Sequence, residues 1–256
     1  MREITVGAAR IPYRVLGTGR PVVLVHGGSP GSQVWDGVAA TLAATRTVVL
    51  PDLSGSDAAH DDGGALTVEL LAEQVAAVID DLGQGPADVV GHSMGGAVVA
   101  RLAAVRPDLV TRLVLVSGWT GQGGAFLREK MSLWRDLADD ANTFARYTML
   151  IAFSRAYLEA LTPPVLAGHA AAYQPAPGRL RQIDLANSLD VRGLLPRIQA
   201  PTLVIGCTND ALISPQYSRE ITADIPDATY AEIDSGHITM AEQPAELAKL
   251  VGDFLD

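Results

Sequence analysis

The stretch Asp88 to Ala100, DVVGHSMGGAVVA, restricts the folds open to this chain more than any other. A short apolar run, Val89 and Val90, leads through Gly91-His92-Ser93-Met94-Gly95-Gly96 into a string of small residues. That order spells strand, tight turn and helix. A turn so sharp leaves no room for side chains beside its tip, so glycines flank Ser93 at 91 and 95, and the serine itself is expected in a strained conformation with Oγ lifted clear. A lone Gly-x-Ser-x-Gly match is also met by a Gly-rich turn with a capping serine. The remainder of the chain decides between the two.

Elsewhere apolar strand patterns alternate with helical ones. Pro21 to Val25 and Val110 to Val116 are continuous apolar runs of the kind buried on both faces in a parallel sheet. Two short strands are expected within Glu3 to Leu16, and others at Thr47 to Leu50, Pro201 to Ile205 and Ala228 to Ile233. Between them, Val34, Trp35, Val38, Ala39 and Leu42 mark one helix face, with Ser32 as its expected cap. Thr67, Leu70, Leu71, Val75, Val78, Ile79 and Leu82 repeat with the helical period, Ser214-Pro215 opens a helix, and Pro244 to Leu255 closes the chain as an amphipathic one. Right-handed crossovers then give an α/β fold: a mostly parallel eight-stranded sheet with helices on both faces. From 119 to 199 the alternation stops, and helices broken at Thr162-Pro163-Pro164 and Gln174 to Gly178 suggest a helical cap inserted into a core of residues 1–118 and 200–256.

A formal net charge of −10 repels phosphate backbones and anionic membranes, which argues against nucleic acid and membrane partners. The single cysteine, Cys207, excludes an intrachain disulfide, and nothing in the pattern calls for a metal or an organic cofactor. Met1 to Arg10 lacks an apolar targeting core and no run of about 18 apolar residues occurs, so a cytoplasmic protein is expected. Its partners are expected to be a small-molecule substrate and at most a second copy of the chain, as a homodimer.

Parallel strands end along one sheet edge, where open α/β sheets bind ligands. Here those ends carry His26-Gly27-Gly28, Ser93, Asp210 and His237. Alone, Asp210 reads as a turn carboxylate and His237 as a loop histidine. Together with Ser93, in the order serine, acid, histidine, they are the parts an activated nucleophile requires. His26 is expected to brace its loop and His92 to pack behind the turn.

At this point the chain resembles the α/β-hydrolase superfamily over nearly its whole length. The resemblance rests on His26-Gly27 after the third strand, Gly91 to Gly96, Pro201 to Asp210, and Ser235-Gly236-His237 followed by Glu242-Gln243-Pro244. It is closest to small cofactor-free members such as enol-lactonases, carboxylesterases, haloperoxidase-like enzymes and carbon-carbon bond hydrolases. The resemblance implies the fold and the catalytic residues Ser93, Asp210 and His237, and it implies that the backbone N–H groups of Gly28 and Met94 form an oxyanion hole. Two departures stand out. Leu53-Ser54-Gly55-Ser56-Asp57-Ala58 lacks the second glycine usual in this loop, and Cys207 stands where relatives often place glycine before the acid.

The cap is expected to set selectivity. It holds Trp119, Phe126, Trp134, Phe144, Tyr147, Phe153, Tyr157 and Tyr173, eight of the chain's 13 aromatic residues. An apolar pocket facing Ser93 is expected from Trp119, Met131, Trp134, Phe144, Tyr147 and Met149. The expected activity is that of a serine hydrolase cleaving a carboxylic ester, lactone or thioester of a largely apolar small molecule through an acyl-enzyme. The same residues would also serve an acyl-transfer cyclase, a cofactor-free haloperoxidase or oxygenase, or a carbon-carbon bond hydrolase. A non-catalytic ligand-binding receptor is the last alternative.

Overall fold

The computed structural model describes residues 1–121 and 123–256. Its strands are β1 (Arg2–Val6), β2 (Ala9–Leu16), β3 (Arg20–Val25), β4 (Arg46–Pro51), β5 (Ala87–His92), β6 (Val110–Val116), β7 (Thr202–Cys207) and β8 (Ala228–Ile233). They form one eight-stranded sheet in the order β1-β2-β4-β3-β5-β6-β7-β8. β2 pairs antiparallel with β1 and β4, and every other pairing is parallel. The helices are α1 (Asp36–Leu42), α2 (Val68–Leu82), α3 (Met94–Val105), α4 (Ala125–Asp136), α5 (Ala141–Ala152), α6 (Arg155–Ala160), α7 (Pro163–Ala172), α8 (Pro177–Ser188), α9 (Pro215–Asp224), α10 (Thr239–Glu242) and α11 (Pro244–Leu255).

The strand runs are apolar throughout because both sheet faces are covered. Val22, Leu24, Val48, Leu50, Val90 and Val114 point to one face, against α1 and α11. Their neighbours Val23, Val25, Val49, Val89 and Leu113 point to the other, against α2, α3 and α9. This is the two-residue alternation of a strand, with each buried Val or Leu contributing about 1.5–3 kcal/mol. No described helix is long and apolar enough to cross a membrane.

Helix entries follow local chemistry. Thr67 Oγ1 accepts the Leu70 N–H at 3.1 Å, and Ser214 caps α9 ahead of Pro215. Ser32 departs from expectation. Residues Ser32–Trp35 form a 3₁₀ turn before α1, and Ser32 accepts no capping bond. Its own N–H instead donates to Asp52 Oδ1 at 2.6 Å, which ties the loop after β3 to the end of β4.

Helices α4 to α8 lie between β6 and β7 in sequence, and Val191 N donates to Thr120 O at 2.7 Å where the chain leaves and re-enters the sheet layers. Trp134 stacks on Phe144 with ring centroids 6.0 Å apart and donates to Thr148 Oγ1 at 2.8 Å, joining α4 to α5. The helical segment is fastened to the strand ends below it. Ile238 N donates to Ala152 O at 3.0 Å, and Lys130 Nζ donates to the carbonyls of Ala211 and Leu212. Glu242 accepts from Ser154 N at 2.8 Å, Ser154 Oγ at 2.6 Å and Gly236 N at 3.0 Å.

Candidate active site

Ser93 occupies the tip between β5 and α3 with φ 57 and ψ −125, a conformation that L-residues hold only under constraint. The constraint is visible on both sides. Ser93 N donates to Val116 O at 2.9 Å and Ser93 O accepts from Gly96 N at 2.9 Å. A Cβ at Gly91 would stand 2.5 Å from Gly95 O, and one at Gly95 would stand 2.4 Å from His26 O. The two flanking glycines are thus required by backbone contact, as the sharp turn demands.

The three expected residues meet. His237 Nε2 lies 2.9 Å from Ser93 Oγ, and His237 Nδ1 lies 2.7 Å from Asp210 Oδ2. All three are buried. A carboxylate only accepts, so Nδ1 carries the proton and Nε2 is left to accept from the serine hydroxyl. Asp210 is itself held: its Oδ1 accepts from Leu212 N at 2.8 Å and Ile213 N at 2.7 Å. Asn209 turns away to Asp234. Cys207 leaves this loop unharmed, because its thiol packs under Ser117 Oγ at 3.0 Å and burial pushes its pKa up to about 12, holding it neutral.

His26 braces the loop after β3, as expected. Its Nδ1–H donates to Gly27 O at 2.8 Å and its Nε2 accepts from Leu53 N at 3.1 Å, so the ring is spent on two backbone groups. The loop at Leu53 that lacks its second glycine is closed by this bond and by Ser56 N to Leu53 O at 3.0 Å. Burial lowers the His26 pKa despite the nearby Asp52. His92 does more than pack. Its Nε2 lies 2.9 Å from His237 O, and burial, then the charge His237 would carry, hold its pKa well below the ordinary 6.5.

Of the two glycines after His26, the tight position is Gly27. A Cβ there would sit 2.8 Å from Ser93 Cβ and 2.9 Å from His92 O, whereas a Cβ at Gly28 would meet only Gln182 Cβ at 3.9 Å. The N–H groups of Gly28 and Met94 have no protein acceptor among the described residues, and both residues line the cavity beside Ser93.

That cavity has a volume of about 30 Å³, on the order of a few water molecules. Its wall is mostly apolar, with Trp119, Met131, Trp134, Ile151, Ile183 and Leu212. Three residues expected there lie elsewhere. Phe144 packs under Trp134, Tyr147 donates to Lys130 O at 3.1 Å, and Met149 joins Phe153 and Ile238 in a separate cluster. From α5 the cavity takes Thr148, Ile151 and Ala152, toward the C-terminal end of that helix. Gln182, Tyr173 and Leu212 also reach it and carry no motif that would have singled them out. No group of three or more His, Cys, Asp or Glu among the described residues is placed to hold a metal ion.

Residues 20–244 match the family model described as alpha/beta hydrolase fold. Over its whole length the chain is 34% identical to pyrrolizixenacetamide deacetylase of Xenorhabdus hominickii, covering 98% of that protein. It is 31% identical to 2-hydroxymuconate semialdehyde hydrolase of Pseudomonas sp. strain CF600, over 99% of this chain and 93% of the relative. The enol-lactonase of Burkholderia xenovorans LB400 superposes with a TM-score of 0.89 at 26% identity, covering 99% of both chains. The chain is therefore an enzyme of the α/β-hydrolase superfamily.

Proposed function

We propose that this enzyme is a serine hydrolase that cleaves an acyl bond of a largely apolar small molecule through an acyl-enzyme. The carrying observation is the pair of bonds at His237, 2.9 Å to Ser93 Oγ and 2.7 Å to Asp210 Oδ2, at a serine held with φ 57. His237 Nε2 takes the proton of Ser93 Oγ as the oxygen bonds to the acyl carbon, then returns it to the leaving group. Asp210 keeps the imidazole in the Nδ1–H tautomer and stabilises the imidazolium. The free N–H groups of Gly28 and Met94 receive the oxyanion, and each such donor is worth about 10²–10³ in turnover. Water attacks the acyl-enzyme with His237 as base. The acyl bonds first in view are carboxylic esters, lactones and thioesters. Amides join them as a second reading, favoured by the whole-length similarity to a deacetylase named for an acetamide.

A fluorophosphonate probe is expected to label wild-type enzyme at Ser93 and to leave Ser93→Ala unlabelled. The variant should lose about 10⁴–10⁶ of the rate on a nitrophenyl ester. Folded wild-type protein that takes no label would overturn the nucleophile assignment.

A further inference from the structure

Gln182 lies on α8 with its side chain fully buried, and neither Oε1 nor Nε2 has a hydrogen-bond partner among the described residues. It lines the cavity in front of Ser93, and its Cβ stands 3.9 Å from where a Cβ on Gly28 would be. Gln182 therefore stands in the water-poor wall of the cavity, on the side of Gly28, whose N–H is assigned to the oxyanion. Other polar groups of the wall are already engaged: Ser29 with Gly31 O, His92 with His237 O and Thr148 with Phe144 O. Among the described residues the Tyr173 phenol also has no hydrogen-bond partner, but that residue is only half-buried. A fully buried carboxamide with both ends free destabilises the fold, and methionine would fill the same volume without that cost. Such a group points to a ligand that supplies its partners.

A carboxamide offers an acceptor and donors in one plane. An ester offers no N–H to the acceptor, whereas a secondary amide does. We propose that Gln182 Oε1 accepts the N–H of a scissile secondary amide held against Ser93, which makes the site selective for amides over esters. The proposal rests on the acyl-enzyme reading of Ser93. In the step concerned, the Ser93 Oγ–carbon bond forms, the carbon–nitrogen bond breaks, and the amine leaves with the proton from His237. Water then releases the acid and restores Ser93. Gln182 acts as a specificity residue, holding the nitrogen while its lone pair turns toward His237.

The test compares nitrophenyl acetate with nitroacetanilide, which share acyl group and ring and differ in the oxygen or N–H of the scissile bond. Gln182→Met and Gln182→Leu are measured beside wild type, with melting temperature and fluorophosphonate labelling as controls. The variants should be at least as stable as wild type and label normally. They should lose at least about tenfold in kcat/KM on the anilide while the ester changes by less than about threefold. An equal fall on both substrates would make Gln182 an oxyanion donor or a structural residue and overturn the proposal. So would no change on either, or a wild type that turns over the ester and not the anilide. A wild type that neither labels nor cleaves the ester defeats the acyl-enzyme reading itself, a result distinct from these.

Discussion

His92 Nε2 lies 2.9 Å from the main-chain carbonyl of His237, so the residue before Ser93 holds the backbone of His237. A carbonyl only accepts, so Nε2 of His92 carries the proton, and the two rings lie 4.7 Å apart. His92 also meets Trp35 edge-on at 6.3 Å, which leaves its ring little freedom. The imidazole that must reach both Ser93 and Asp210 is thus positioned from behind, by a neutral histidine outside the proton path.

Replacing His92 by Phe keeps the ring volume against Trp35 and deletes the donor. The His237 carbonyl, buried and unpaired, should then cost about 1–3 kcal/mol of stability, read from a denaturant midpoint. Looser placement of the base should lower kcat about 10- to 100-fold with KM nearly unchanged. Full kcat in a folded His92→Phe enzyme would show that the bond has no part in positioning His237.

The two glycines after His26 should respond in opposite ways. A methyl at 27 would press on Ser93 Cβ at 2.8 Å and on the His92 carbonyl at 2.9 Å, neither of which can yield without displacing the turn. Gly27→Ala is expected to destabilise the protein by at least about 1–3 kcal/mol and to remove most activity. A methyl at 28 meets only Gln182 Cβ at 3.9 Å, so Gly28→Ala should fold like wild type and retain fluorophosphonate labelling. Similar losses in both variants would contradict this assignment of the tight contact.

What the sequence made readable follows from periodicity and chain order. The continuous apolar runs in β3 to β7 and the glycine-flanked Ser93 leave few alternatives, and three strand ends suffice to bring Asp210 and His237 to Ser93. The cavity wall was harder for a physical reason. On helix α5 Phe144 shares one face with Thr148 and Ile151, while Met149 lies well round the helix from it, and periodicity does not say which residues of an apolar face reach a cavity and which meet another helix. Gln182 was invisible because a lone glutamine on a helix is ordinarily solvated, and only burial without a partner distinguishes it. Ser32 misled because a serine before a helical pattern is the usual cap, while here Asp52 claims its N–H from across the sheet edge.

The size of the cavity bears on the acyl group. With about 30 Å³ of space between Trp119, Trp134 and Ile183, the cavity favours a short acyl chain, and a longer one displaces helices α4 and α8. That shift is opposed by the bonds from Ser154 to Glu242 and from Ile238 to Ala152. Across a series of nitrophenyl esters, kcat/KM should fall at least about tenfold from acetate to octanoate, since misfit in a packed wall costs on the order of 1–3 kcal/mol. Glu242→Gln, which weakens one tether, should narrow that difference. A rise in kcat/KM with chain length would place the acyl group outside this cavity.

Stability should depend on pH through the two buried histidines. His26 and His92 both have pKa values lowered, first by burial, from the ordinary 6.5. The folded state keeps them neutral, while the unfolded chain takes up protons below 6.5, so the unfolded state binds more protons there and stability falls as pH falls. The contribution is complete above 6.5 and is lost progressively below it, toward a limiting slope of about 1.4 kcal/mol per pH unit for each histidine that stays neutral. Urea midpoints at pH 7.5 and 5.5 measure this, with His92→Phe as the comparison. The variant has one protonatable group fewer in the unfolded chain, so its stability, lower at pH 7.5, should decline less steeply. Parallel declines in the two proteins would mean that His92 is free to take a proton in the folded state, and the neutral donor to the His237 carbonyl would have to be given up.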